Sequence, residues 1–168
     1  SKVMSKTNTF LLSSGGYVLT NTMAKAENKN NAYYVTNSKG HVIKSKLVKY
    51  KKDGYRYYFG SDGKRTTWKN SWHKCAGASN KYYYFGSTAG RVAEKTGWQK
   101  VTGTSGQFLG WFYFDKNGNH YQNKMLTAKS SQKSYYFTSS GKVASGITTI
   151  NNKKYFFATS NSTTHRGW

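Results

Sequence analysis

The amino-acid sequence predicts an all-β fold, a solenoid of about seven stacked β-hairpin repeats of 20–29 residues. Three observations carry that expectation. A triplet of apolar, mostly aromatic residues recurs along the chain; a short polar turn ending in glycine follows it; and a further apolar residue closes each copy about seven positions later. Aromatic and β-branched residues favour a pleated, half-buried backbone, and clusters such as Ser61-Asp62-Gly63 place glycine where a tight turn needs a positive φ. A lone hairpin is marginal in water because it has no second layer on which to bury a face, so neighbouring copies have to stack and share a core.

The copies can be taken in order. Phe10-Leu11-Leu12 is followed by Gly16 and Met23, Tyr33-Tyr34-Val35 by Gly40 and Leu47, and Tyr57-Tyr58-Phe59 by Gly63 and Trp68. Tyr83-Tyr84-Phe85 leads to Gly90 and Trp98, Phe112-Tyr113-Phe114 to Gly118 and Met125, and Tyr135-Tyr136-Phe137 to Gly141 and Ile147. The last copy, Tyr155-Phe156-Phe157, has Asn161 in place of glycine and closes on Trp168. Residues 1–168 are expected to form a single repeat module, with residues 1–32 as an N-terminal capping repeat, because this copy is the least aromatic and a terminal repeat lacks one neighbour, and residues 33–168 as the hairpin repeats. The segment before Trp111, TGTSGQFLG, lengthens one connector and is expected to be an irregular loop, since Gly, Ser and Thr carry it. Proline is absent, which suits continuous hairpins.

Strand alternation sorts the triplets into faces. Residues two apart share a side, so the first and third residues, such as Tyr57 and Phe59, Tyr83 and Phe85, Phe112 and Phe114, Tyr135 and Phe137, and Tyr155 and Phe157, are expected to be core. The middle residues, Tyr34, Tyr58, Tyr84, Tyr113, Tyr136 and Phe156, form a second ladder with the residue before each triplet.

Charge is one-sided: 27 Lys and Arg against 5 Asp and Glu give a net charge of +22, spread through nearly every copy. Such an excess repels itself and suits a polyanionic partner. Cys75 is the one cysteine, so neither an internal disulfide framework nor a Cys-rich metal site can be built. No run of about 18 apolar residues is present to form a transmembrane segment, and no charged-then-apolar leader opens the chain. The abrupt start at Ser1 and the end on Trp168 suggest a piece of a longer chain.

The phrases TGWQKV and GWFYFDKNG, with Met125 downstream, resemble the cell-wall-binding repeats of Gram-positive surface proteins, a family that includes choline-binding modules, the glucan-binding repeats of glucansucrases and the carbohydrate-binding repeats of clostridial toxins. GITTINNKKYFF, from Gly146 to Phe157, is similar to the toxin and glucan-binding forms. The resemblance covers essentially the whole chain and implies a hairpin solenoid that holds a parent protein to a polysaccharide or wall polymer, with an extracellular, cell-wall-associated location. It also shows where this sequence departs. Choline-binding relatives build each cage from a Trp before the triplet, a Tyr within it and the Trp of a Gly-Trp pair; here the first survives as Trp111 and the last at Gly97-Trp98 and Gly167-Trp168. Arg56 and Lys154 stand where a ring would face the quaternary amine, and a cation in the wall opposes a cation in the cage. At most one or two degenerate cages, around Trp98, Trp111 and Tyr113, are expected.

Basic side chains beside tyrosine rings can hold phosphate by charge while the ring packs on a sugar or glycerol. The expected ligand is therefore an anionic wall polymer, teichoic or lipoteichoic acid, bound by Arg56, Tyr58, Lys64, Arg65, Trp68, Arg91, Trp98, Trp111, Tyr113, Lys124, Tyr136 and Lys154 in several weak contacts on one polymer. Alternatives are a module for neutral α-glucan and a degenerate choline-binding module; a nucleic-acid binder fits less well because no nucleic-acid motif appears and the rings follow a structural repeat. Asp53, Asp62 and Asp115 sit just before turn glycines, no acidic pair is placed for glycosidase chemistry, and His41, His73, His120, His165 and Cys75 follow no metal-ligand spacing, so no catalytic residue, metal or cofactor is expected.

Overall fold

The computed structural model describes residues 1–158. Asn161, His165, Gly167 and Trp168 lie outside the described residues. Fourteen strands pair as seven separate antiparallel two-stranded sheets: β1 (Val3–Met4) with β2 (Leu11–Leu12), β3 (Met23–Ala26) with β4 (Ala32–Val35), β5 (Lys46–Lys49) with β6 (Arg56–Phe59), β7 (Ser71–Cys75) with β8 (Lys81–Phe85), β9 (Gly97–Thr102) with β10 (Phe108–Phe114), β11 (Lys124–Thr127) with β12 (Ser134–Phe137), and β13 (Gly146–Ile150) with β14 (Lys153–Phe157). This is the all-β hairpin-repeat solenoid class. By contact density the described chain forms two units: one of Ser1–Asn70, Lys74–Asn80 and Phe85–Ala93, the other of Ser71–His73, Lys81–Tyr84 and the chain from Glu94 onward.

Among the described residues the number of hairpins matches the number of copies. The triplet does not pair across the glycine turn; it pairs with the strand before it, so that Leu47 opposes Tyr58, Trp98 opposes Tyr113, and Ile147 opposes Phe156. Across each glycine turn only a single bridge forms, such as Phe59 with Arg65 or Phe137 with Val143. The reason is local. The glycine turn is four residues, closed by bonds such as Gly63 N–H to the Gly60 carbonyl, and the chain leaves it after one pair to hydrogen-bond the previous copy. That exit recurs with constant spacing: the residue two past the glycine donates its N–H to the carbonyl of the residue preceding the earlier triplet, in Arg65 to Tyr33 (2.8 Å), Val92 to Arg56 (2.9 Å) and Val143 to Trp111 (3.2 Å).

These joints also correct the phase of the second copy. Gly40 lies four residues after Thr36, as Gly63 lies four after Phe59, and Thr36 bridges Val42 as Phe59 bridges Arg65. The core triplet there is Tyr34-Val35-Thr36, all buried, and Tyr33 is the half-buried residue before it. Elsewhere the expected core holds: Tyr57, Phe59, Tyr83, Phe85, Phe112, Phe114, Tyr135, Phe137 and Phe157 are buried. Tyr155 departs from it, being 42% exposed, with Phe156 beside it 70% exposed. The expected irregular loop before Trp111 is not a loop but the tip of the longest hairpin, turned at Gly103 to Gln107 and bulged between Phe108 and Gly110.

Candidate ligand-binding faces

In the first unit the repeat joint sets cations on tyrosine rings. Because the Arg65 N–H bonds the Tyr33 carbonyl, the Arg65 side chain lands on the Tyr33 ring, its guanidinium 3.9 Å from the ring centre and 5.2 Å from that of Tyr57. Lys25, directly across the β3–β4 hairpin from Tyr33, brings its ammonium 5.4 Å from the same ring. Burial is the first cause that pulls the Arg65 pKa down, with Tyr33, Tyr57 and Asp53 opposing it; an arginine so placed remains cationic. The Tyr57 hydroxyl donates to Asp53 Oδ2 at 2.8 Å, and burial, then this bond, raises its pKa. One residue past its glycine, Arg91 lies 4.1 Å from the ring centre of Tyr55.

Other predicted residues of this unit are placed differently. Tyr58 is 6% exposed; its hydroxyl accepts the Gly77 N–H and its ring stacks on Trp68 at 5.6 Å, which in turn meets Phe85 edge-on at 5.0 Å. Tyr58 is thus a packing residue rather than an open platform. Arg56 is half-buried on β6, opposite Lys49, and Lys64 is exposed, 3.8 Å from Asp62. That pair contributes little at a wet surface.

The second unit holds an aromatic cluster. Trp98 meets Tyr113 at 5.5 Å, Tyr135 at 4.8 Å and Phe137 at 5.5 Å, and Tyr113 meets Tyr121 at 5.1 Å. Lys124, exposed, sets its ammonium 4.1 Å from the Tyr121 ring centre. Trp111 lies on the same face of the β9–β10 hairpin, opposite Lys100, and meets Phe108 at 6.5 Å. Two Lys–ring contacts continue the pattern: Lys95 over Tyr84 at 4.6 Å and Lys100 over Phe108 at 5.5 Å. Tyr136 is half-buried and stacks near Phe157 at 6.3 Å, while Lys154 is exposed on β14. The sequence reading missed Trp72, which occupies in β7 the slot of Trp98 in β9: second in the strand and against the middle tyrosine of the next triplet, Tyr84, at 5.3 Å. It also missed Tyr33, Tyr55, Tyr121 and Phe108, the rings that carry the cations. Their signal was position relative to the triplet and glycine of adjoining copies, which only the true strand pairing exposes.

Several titratable side chains are tied into the core or into turns. Burial pushes the Cys75 thiol up to about 12, leaving no thiolate at neutral pH to act as nucleophile. His120, 3% exposed, accepts the Tyr82 N–H at Nε2 (3.0 Å) and faces the Tyr121 carbonyl with Nδ1 (3.2 Å), which fixes a neutral tautomer with the proton on Nδ1. Asp53, Asp62 and Asp115 accept backbone N–H groups two residues on, at 2.8–2.9 Å, as turn formers do. Among the described residues no three His, Cys, Asp or Glu side chains could share a metal ion, and no helix is long and apolar enough to cross a membrane.

No protein-family model and no curated protein matches the sequence. Among solved structures, the chain is similar to the modular autolysin LytC from Streptococcus pneumoniae, at 17% identity and a TM-score of 0.42, over 94% of this chain and 36% of that one. It is similar to the modular endolysin Cpl-1 of phage Cp-1, at 18% identity and a TM-score of 0.48, over 93% of this chain and 40% of that one. It is also similar to an alternansucrase from Leuconostoc mesenteroides, at 20% identity and a TM-score of 0.44, over 73% of this chain and 10% of that one. The chain thus spans less than half the length of each of these three structures.

Proposed function

We propose that the chain is a non-catalytic cell-wall attachment module, outside the cell, that holds an anionic wall polymer of the teichoic or lipoteichoic acid kind. The observation that carries this reading is the placement of cations on ring faces: Arg65 on Tyr33 and Tyr57, Arg91 on Tyr55, Lys95 on Tyr84, Lys124 on Tyr121. A guanidinium or ammonium resting on a ring has lost much of its rotamer freedom before a ligand arrives, so less is lost when it meets phosphate. The neighbouring ring edge offers apolar surface to glycerol or sugar. A quaternary amine would meet the same rings with a side-chain cation already on them, which disfavours the choline alternative. Each contact is weak, and the repeat compensates by multiplying contacts along one polymer.

The test is a titration of the chain with lipoteichoic acid and with neutral dextran, at low and high salt, with Arg56→Ala, Lys124→Ala and Trp98→Ala in parallel. Lipoteichoic acid is expected to bind with an affinity that falls steeply with salt and is weakened by the two basic substitutions, because ions screen exposed phosphate contacts. Salt-resistant binding to dextran alone, lost with Trp98→Ala, replaces this reading with a neutral-glucan module.

A further inference from the structure

The lengthened β9–β10 hairpin builds a cleft where it meets the next copy. In β10 the bulge sets Phe108 opposite Thr102 and Gly110 opposite Val101, two residues against one step of β9. Thr102, Lys100 and Trp98 alternate onto one face of β9, so Phe108, Trp111 and Tyr113, their partners, share that face as well. Without the bulge, Phe108 would point to the other side from Trp111. The next copy closes the space: Val143 N–H bonds the Trp111 carbonyl, and Lys142, one residue past its glycine, lays its stem over Gly110, where a Cβ would meet Lys142 Cγ at 3.2 Å. The result is a cleft of about 150 Å3 lined by Phe108, Gly110, Trp111, Lys142 and Ser145. Lys100 stands over the Phe108 ring.

Comparison with another joint of the same chain says what fits there. Arg91 occupies the position of Lys142, one past the glycine, and Tyr55 occupies that of Gly110, two before the triplet. In that joint the cation lies on the tyrosine ring at 4.1 Å. In the Lys142 joint the tyrosine is replaced by glycine, the Lys142 stem and the Phe112 ring lie against the position its Cβ would take, and beside them opens a space of the size known to hold one six-membered ring. Its lining includes two aromatic rings, Phe108 and Trp111, at 69° to one another, and Lys142.

We propose that this cleft is a ligand subsite for a single six-membered sugar ring bearing an anionic substituent, phosphate or carboxylate, with the ring against Phe108 and Trp111 and the anion on Lys142. The subsite rests on the reading of the chain as a module for anionic polymer and names the unit of that polymer it grips. Phe108 is 49% exposed and Lys142 is exposed, so both can be changed without disturbing the core.

The experiment is a nuclear magnetic resonance titration of the whole chain with glucose 6-phosphate, glucuronic acid, glucose and inorganic phosphate. Glucose 6-phosphate or glucuronic acid is expected to shift the Gly110 amide and the Trp111 indole, with glucose and phosphate each at least about five-fold weaker, and Lys142→Gln is expected to weaken the charged sugar by a similar factor. Phe108→Ala is expected to weaken it about ten-fold. Binding of the phosphate sugar alone assigns a teichoic-type unit, and binding of the carboxylate sugar alone an acidic polysaccharide; either supports the cleft. Shifts confined to other residues, equal binding of phosphate without the sugar, or indifference to both substitutions would overturn it. If these sugars bind while lipoteichoic acid does not, the subsite stands and the wall-polymer reading falls; if lipoteichoic acid binds and both variants are silent, the reverse holds.

Discussion

At the residue scale, one side chain makes the fold sensitive to acid. His120 lies two past its glycine, the position that in other copies makes the joint with its backbone N–H, and here the imidazole itself accepts the Tyr82 N–H. Protonating Nε2 would set two donors against each other inside the core. Burial is the main cause that pulls its pKa down to about 4, and Lys81 pushes the same way. The folded pKa lies below the unfolded one of 6.5, so above pH 6.5 both states are neutral and nothing is lost. As pH falls from 6.5 towards 4, the unfolded chain takes up a proton the folded chain refuses, and stability declines by about 2–3 kcal/mol before levelling off. His73, whose pKa burial also lowers, adds to the slope with the same sign. Denaturant unfolding between pH 7.5 and pH 4 measures this; His120→Gln should flatten most of the dependence, and an unchanged slope would show that the imidazole is not the group responsible.

At the scale of the element, the sequence was legible wherever a rule acts over a few residues. Triplets became strands, and Asp53, Asp62 and Asp115 became turn formers. What was not legible was which strand a triplet pairs with, because apolar strands on both sides of it satisfy the same alternation, and joints such as Arg65 to Tyr33 are fixed by hydrogen bonds between residues about thirty positions apart. The ligand faces inherit that difficulty: Arg65 and Arg91 were selected for charge, but the rings they lie on, Tyr33 and Tyr55, belong to the preceding copy and were not. The tip of the fourth hairpin illustrates the same tight packing between elements. Gly77, in the short 3-10 turn after β7, receives the Ser45 carbonyl at the start of β5 so closely that a Cβ would overlap it, and its own N–H bonds the Tyr58 hydroxyl. Gly77→Ala therefore has to separate the turn from β5, with an expected loss of about 3 kcal/mol in chemical denaturation; a loss below about 1 kcal/mol would mean that the turn relaxes freely.

For the molecule as a whole, charge and fold pull against each other. A net charge of +22 on 168 residues repels itself, and the rings that carry Arg65, Arg91, Lys95 and Lys124 relieve only part of it, at about 0.5–1 kcal/mol for an exposed cation–π contact. Salt screens that repulsion and the polymer contacts alike, because both act between exposed charges closer than the screening length at low salt. The two effects have opposite consequences. Raising sodium chloride from about 0.02 M to about 0.5 M should raise the Tm of the free chain, since the folded state holds the charges closer together than the unfolded one. The same change should lower the Tm increment produced by saturating lipoteichoic acid, since that increment follows from binding to the folded state and the binding weakens. Differential scanning calorimetry with and without polymer across that range reads both at once. A Tm that falls with salt in the free chain would show that attractive contacts, rather than repulsion, dominate its surface, and an increment that survives high salt would place the polymer on the rings rather than on the cations.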